Sequence, residues 1–199
     1  MADERPLRIG VLALQGGVAE HLAMLSGLGA EAVEVRLPAH LEGLDGIILP
    51  GGESTTIGTL LVEYGLLEPL RHRIQAGLPA YGTCAGMILL ARDLGDVQQP
   101  ILGVMDIGVR RNAFGSQLDS FERDLAVAGL EGGPFRAVFI RAPAIERLGA
   151  GVETLAALAD GTPVAARQGR LLASAFHPEL GEDARIHRMF LELCRAGRP

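Results

Sequence analysis

Three short apolar runs in the N-terminal half each end in a glycine-bearing turn and lead into a helical pattern. No other feature restricts the fold as much. Arg8 to Leu14 stops at Gln15-Gly16-Gly17, and a helical stretch follows from Val18 to about Leu28, with Leu22, Leu25 and Leu28 on one face. Gly46 to Pro50 stops at Gly51-Gly52, and helical pattern resumes from Thr55 to Ala76 with a break at Gly65. A third run, Leu78-Pro-Ala-Tyr81, enters Gly82-Thr-Cys84-Ala-Gly86, after which Met87 to Arg92 reads as helix. Ala32 to Leu37 is a further strand, stopped by Pro38. Strands that are apolar throughout and alternate with amphipathic helices signal a mostly parallel sheet covered on both faces.

The second half changes character. Ile101 to Arg111 and Phe135 to Ile140 read as strands, and Thr162 to Ala166 with Leu171 to Phe176 reads as a hairpin turning at Gln168-Gly169. A last helix is expected from about Asp183 to Arg195. The expected fold class is three-layer α/β: a mostly parallel central sheet, helices on both faces and some antiparallel strands in the C-terminal half. At 199 residues, with no linker, repeat or low-complexity segment, residues 1–199 are expected to form a single domain. Its active site should lie in loops at the carboxyl ends of the strands.

Gly82-x-Cys84-x-Gly86 between a strand and a helix has the layout of a nucleophile elbow, a tight turn with a reactive side chain at its tip. A thiol at the start of a helix feels the positive end of the helix dipole, which favours the nucleophilic thiolate. Near the other end stands Phe176-His177-Pro-Glu179. Residues two apart on an extended chain share a side. Glu179 can therefore accept a hydrogen bond from one imidazole nitrogen of His177 and leave the other to act as a base. Cys84, His177 and Glu179 follow the chain order of a Cys-His-Glu triad.

Composition excludes several alternatives. The net charge is −6 and no basic stripe is interleaved with aromatics, which argues against nucleic-acid binding. Apolar runs are too short to span a membrane, and the polar start Met1-Ala-Asp-Glu-Arg-Pro6 is unlike a signal peptide. Two cysteines, Cys84 and Cys194, make no disulfide framework, so a cytoplasmic location is expected. No His/Cys spacing resembles a zinc site, and neither metal nor cofactor is expected. All 18 basic residues are arginine, so this chain cannot form a lysine Schiff base.

Other candidates divide between chemistry and packing. Gly51-Gly52-Glu53-Ser54 fits a plain turn capped by Ser54, or a loop whose Gly52 N–H joins that of Ala85 in an oxyanion hole. Arg110-Arg111 fits a solvated pair or a fork gripping a carboxylate. His21, His40, His72 and His187 are expected on the surface or on helix faces, and Cys194 in the packing of the last helix.

These residues together resemble the class I (triad) glutamine amidotransferases, whose fold is flavodoxin-like. Within them, the chain is similar to the glutaminase subunits of pyridoxal 5′-phosphate synthase. The resemblance runs in order through Leu14-Gln-Gly16 with Glu20-His21, Pro50-Gly-Gly-Glu-Ser-Thr-Thr56 and the Cys84 elbow. It continues through Arg111-Asn-x-Phe-Gly115 with Gln117-x-Asp-Ser-Phe121, Phe139-Ile-Arg-Ala-Pro143 and His177-Pro-Glu179. It implies that Cys84 is the nucleophile, His177 the base and Glu179 its orienting partner. Gly52, Glu53, Ser54, Arg111, Ile140 and Arg141 would line an L-glutamine pocket, and Gln15 would contact a synthase subunit. That subunit would receive the ammonia and carry the imine chemistry for vitamin B6 synthesis. The resemblance also implies a free subunit that is poorly active until the partner docks. Gly17 stands where relatives often carry another residue, with an expected effect on the turn or the partner contact and none on the triad. Alternative readings are a glutaminase serving another synthase, a cysteine peptidase or chaperone-like hydrolase on the same scaffold, and a regulatory subunit with a vestigial triad.

Overall fold

A computed structural model of the chain describes residues 5–113 and 120–197. Phe114, Gly115 and Gln117, from the motif following Arg111, lie outside the described residues. The N-terminal half alternates as its punctuation predicts: β1 (Arg8–Leu12), α1 (Val18–Gly27), β2 (Glu31–Val35), β3 (Gly46–Leu49), α2 (Ser54–Glu63), α3 (Leu67–Gln75), β4 (Ala80–Thr83) and α4 (Ala85–Leu90). The helical pattern over 55–76 is broken at Gly65, whose φ of 65° lies in the left-handed region that glycine adopts freely. Then follow β5 (Ala91–Asp93), β6 (Met105–Arg110), β7 (Ser120–Leu125), β8 (Phe135–Ile140), β9 (Ala144–Leu148), β10 (Glu153–Ala157), β11 (Pro163–Gln168), β12 (Leu171–Ser174) and α5 (Arg185–Arg195).

The main sheet has the order β10-β11-β12-β4-β3-β1-β2. From β2 to β12 every pairing is parallel, while β11 and β10 are added antiparallel. The order of the first four strands, 2-1-3-4, is that of flavodoxin-like sheets, in which ligands lie beyond the carboxyl ends. Every residue of β3 and β4 is buried, as expected of central strands covered on both faces. Smaller sheets, β5-β6-β9 and β7-β8, stand apart from the main one.

The structure departs from expectation at three places. Helix α4 ends at Leu90 rather than Arg92, and the chain turns directly into β5 to pair with β6. The strand expected from Ile101 begins only at Met105, after a turn at Gly103 with φ 64°. Strands β7, β9 and β10 have no counterpart in the sequence reading. Each is largely solvent-facing and mixes charged with apolar residues, so it lacks the continuous apolar run of the central strands.

Two packing features position the site. Register pairs Ser174 of β12 with Thr83 of β4, so the residues that follow each strand emerge side by side. The β7–β8 hairpin is anchored by aromatic contacts. Phe121 stacks on Phe139 at 4.5 Å, and Phe139 and Phe135 meet Phe176 at 5.6 and 5.7 Å. From this hairpin the Val138 carbonyl accepts the His177 N–H at 2.8 Å. No helix among the described residues is long and apolar enough to cross a membrane.

Candidate active site

Cys84 occupies the turn between β4 and α4 with φ 49° and ψ −103°, a conformation that side-chain-bearing residues rarely adopt. Its N–H donates to the Ser174 carbonyl at 2.8 Å, tying the turn to β12. The tight bend needs Gly86, because a Cβ there would overlap the Leu49 carbonyl on β3. Among the described residues the non-glycine positive-φ positions are Cys84, Asn112 (47°) and Arg141 (44°). Asn112 follows Arg111. Arg141 follows Ile140, whose carbonyl lies 3.9 Å from the Cys84 sulfur. Such conformations cost about 1–3 kcal/mol each and cluster at functional sites.

His177 bridges sulfur and acid. Its Nδ1 lies 2.7 Å from Glu179 Oε1, and the Cys84 side chain is close enough to act on its pKa. Burial alone would lower the pKa of His177. The Cys84 and Glu179 partners outweigh it and push the value up to about 10, so the ring is an imidazolium at neutral pH and both ring N–H groups donate. The Glu179 side chain is 1% exposed and that of His177 12%, which leaves the imidazole edge accessible while its acid is enclosed. Gly51 abuts the ring, and a Cβ there would overlap His177.

The loop after β3 is held from two sides. The Gly51 carbonyl accepts from the Gly17 N–H at 3.1 Å, and Gln15 Oε1 accepts from the Glu53 N–H at 2.8 Å. The cap of α2 is Glu53 rather than Ser54: its carboxylate accepts from the N–H groups of Thr55 (3.2 Å) and Thr56 (2.7 Å). Arg111 donates to Glu53 Oε1 at 2.8 Å and, from its other nitrogen, to Thr55 Oγ1 and Gln99 Oε1, each at 3.0 Å. Partial burial of Glu53 would raise its pKa. The Thr56 and Thr55 donors and the Arg111 charge outweigh that and hold it below the usual carboxylate range. Ser54 is buried and its hydroxyl donates to Gln99 Oε1 at 3.3 Å. Arg110 is exposed and pairs with Glu146 at 2.7 Å, so only Arg111 of the arginine pair turns inward.

Gln15, Gly52, Glu53, Ser54 and Arg111 thus meet beyond the ends of β1, β3 and β6, directly or through Gln99, and Cys84, Ile140, His177 and Glu179 lie at or near the ends of β4, β8 and β12, with Ala85 and Arg141 next to them in the chain. Three features refine or correct the sequence reading. Gln99, a partner of Arg111, gave no signal, since it lies in a polar loop without motif. His21 and His187, expected on the surface or on helix faces, lie on faces of α1 and α5 that are fully buried. The signal existed: His187 stands three, four and seven residues before Phe190, Leu191 and Cys194, all of them buried on α5, and His21 stands four before buried Leu25 on α1. Gly17 does bear on the triad, because a Cβ there would sit 3.2 Å from Glu179 Oε1. Cys194 packs beneath Gly46 as expected, and His40 and His72 are exposed.

The chain is similar to several known proteins. The model of the SNO glutamine amidotransferase family matches residues 11–196. A pyridoxal 5′-phosphate synthase subunit PdxT of Frankia alni is 60% identical over 191 residues, covering 95% of this chain and 96% of its own. The PdxT subunit of Pelotomaculum thermopropionicum is 58% identical over 193 residues, covering 96% and 98%. A crystal structure of a glutamine amidotransferase superposes with a TM-score of 0.89 at 57% identity, covering 94% of this chain and 98% of that one. A chain of PurLQS from Thermotoga maritima, at 16% identity and a TM-score of 0.70, shares the fold over 94% of this chain and 98% of its own. With a family match over nearly its whole length and relatives at this identity, the chain belongs to the SNO glutamine amidotransferase family.

Proposed function

We propose that this chain hydrolyses L-glutamine to L-glutamate and ammonia and hands the ammonia to a separate synthase subunit that makes pyridoxal 5′-phosphate. The observation that carries the chemistry is His177 seated between the Cys84 sulfur and the Glu179 carboxylate, at the carboxyl ends of adjacent strands. The names of the PdxT relatives support the choice of synthase.

In this reading the Cys84 thiolate attacks the side-chain carboxamide carbon of glutamine. A C–S bond forms, and the carbonyl oxygen becomes an oxyanion facing the N–H groups of Gly52 and Ala85. Each such donor is worth about 3–4 kcal/mol in the transition state. His177 gives its proton to the departing nitrogen as the C–N bond breaks, and ammonia leaves a glutamyl thioester. The neutral ring then takes a proton from water as the water oxygen attacks. The C–S bond breaks, glutamate departs and the thiolate is restored. Glu179 holds the ring throughout. Glu53 and Arg111 present opposite charges 2.8 Å apart, a match for the ammonium and carboxylate of a free amino acid. Ser54, Ile140 and Arg141 complete the pocket.

Ammonia released into water at neutral pH would be protonated and lose its nucleophilicity, so direct transfer to a docked partner has a chemical reason. The partner must also supply any imine-forming lysine, since this chain has none. Gln15, exposed beside the loop after β3, would contact that partner. The whole chain acts as one glutaminase domain in the cytoplasm. The test is an ammonia-release assay of wild type and Cys84→Ala, each with and without purified synthase subunit. Turnover by wild type that Cys84→Ala abolishes is expected. Undiminished turnover by Cys84→Ala would overturn the assignment.

A further inference from the structure

Glu179 has a second oxygen that the triad does not use. Oε1 receives His177, but Oε2 is buried and makes no hydrogen bond. The side chain facing it is His21 from α1, whose Nε2 lies 3.5 Å away. The same Nε2 is 3.3 Å from Thr83 Oγ1, on the residue preceding the nucleophile. On its other side, His21 Nδ1 is 2.9 Å from His187 Nε2 on α5, and His187 Nδ1 has no partner. Both rings are fully buried. A line of side chains therefore runs from His187 through His21 to Glu179 and on to His177.

Elementary electrostatics sets the protons in this line. Burial lowers the pKa of His21 well below its ordinary value, with the His187 and His177 rings adding to the effect, and burial lowers that of His187 to about 4. Both rings are neutral near pH 7, so each carries one N–H. Suppose His21 carried its proton on Nδ1. Its Nε2 lone pair would then face the Glu179 carboxylate, Oε2 would stay bare, and His187 would be left with a buried Nδ1–H and nothing to receive it. With the proton on Nε2, His21 points an N–H at Oε2 and Thr83 Oγ1, and His187 Nε2–H donates to His21 Nδ1. His187 Nδ1 is then a bare acceptor and not a stranded donor, and Oε2 faces an N–H in place of a lone pair, so the second arrangement wins on electrostatics.

We propose that His21 is a positioning residue of the glutaminase reaction. Held by His187 in the tautomer with its proton on Nε2, it points that N–H at the free oxygen of Glu179 and keeps the other oxygen on His177. The 3.5 Å separation is longer than a hydrogen bond. Contacts of this kind tighten when substrate binds and the charge on the base changes. Thr83 extends the same restraint to the elbow backbone. The groups facing the two rings are Thr83 and Tyr81 from β4, Glu179 and His177 from the loop after β12, and each ring from the other's helix. The pair is a spectator to bond making; what it fixes is the direction of the carboxylate.

The inference rests on the triad reading, and the experiment separates the two. Full-length wild type, Cys84→Ala, His21→Leu and His21→Gln are assayed across pH in the presence of the synthase subunit. A glutamine side chain can place its amide N–H close to where His21 holds Nε2–H. Cys84→Ala must be inactive; if it turns over, the triad reading itself fails. With that control inactive, His21→Leu is expected to lower kcat about tenfold with little change in KM, and to move the alkaline limb of the pH profile to lower pH, while His21→Gln restores most of kcat. Wild-type kcat in His21→Leu, or equal losses in both His21 variants with an unmoved pH profile, would overturn the proposal and leave the triad standing. Should His21→Leu fail to fold, the nitrogen spectrum of ¹⁵N-histidine-labelled wild type decides. His21 protonated on Nε2 supports the proposal, and protonation on Nδ1 refutes it.

Discussion

At the scale of single residues, the site depends on charges held in a small enclosed volume. His177 carries a proton at neutral pH because the sulfur and the carboxylate outweigh the cost of burial. Glu179→Gln removes one of those partners. It is expected to lower kcat by about 10²–10⁴-fold and to shift the alkaline limb of the pH–rate profile to lower pH, read by ammonia release. The buried histidines make a separate prediction about stability. Unfolded, His187 titrates near its ordinary value of 6.5; folded, at about 4. Between those values the unfolded chain binds more protons, so His187 withdraws stability as pH falls from 6.5 to about 4, by about 1.4 kcal/mol per pH unit, and contributes no slope above 6.5. His21 acts with the same sign. His177 has the opposite sign. Its raised value adds stability that is fully present below 6.5 and is lost as pH rises from 6.5 through about 10. Urea unfolding across pH checks this: the loss between pH 6.5 and 5 should be smaller in His187→Leu than in wild type. Equal losses would contradict a neutral buried His187.

At the scale of elements, the turns after β3 and β4 matter more than the helices they begin. Gly51 does not have a positive φ, so alanine fits its backbone; the Cβ would instead strike the His177 ring. Gly51→Ala is therefore expected to retain the fold by circular dichroism and to lose about 100-fold or more in kcat, the usual cost of displacing a catalytic group by about an ångström. Loss of folding in this variant would show that the loop serves the core instead. These turns were legible in the sequence because each follows a short run of apolar residues. Strands β7, β9 and β10 were not, since a strand with one wet face and short charged stretches such as Phe121-Glu-Arg-Asp124 carries no continuous apolar signal. The burial of His21 and His187 was hidden for a related reason. Histidine is polar by composition, and only its helical spacing from Leu25, Phe190 and Cys194 reveals a buried face. Gln99 could not be found at all, because its role arises from a fold-dependent meeting with Arg111, twelve residues away.

At the scale of the whole molecule, the parallel sheet aligns residues from distant parts of the chain. The pairing of β4 with β12 brings Cys84 and His177 together across more than ninety intervening residues, and β1 and β3 add the glycine loop. That topology could be read from the alternation of strands and helices; the side chains that meet behind it could not. The Gly51 carbonyl is tied to the Gly17 N–H, so any rotation of the Gly51–Gly52 peptide must break that bond. A partner that sets this peptide for catalysis would supply an oxyanion donor worth about 10²-fold in kcat. Ammonia release should rise by that order when the synthase subunit is added, and comparable turnover with and without it would count against a regulated loop. The central claim is that Cys84 becomes covalently acylated during turnover. Acid quenching of the complex with glutamine, followed by peptide mass analysis, should find one glutamyl group on the Cys84 peptide and none in Cys84→Ala. Steady ammonia release with that peptide never modified, or with the acyl group on another residue, would contradict it.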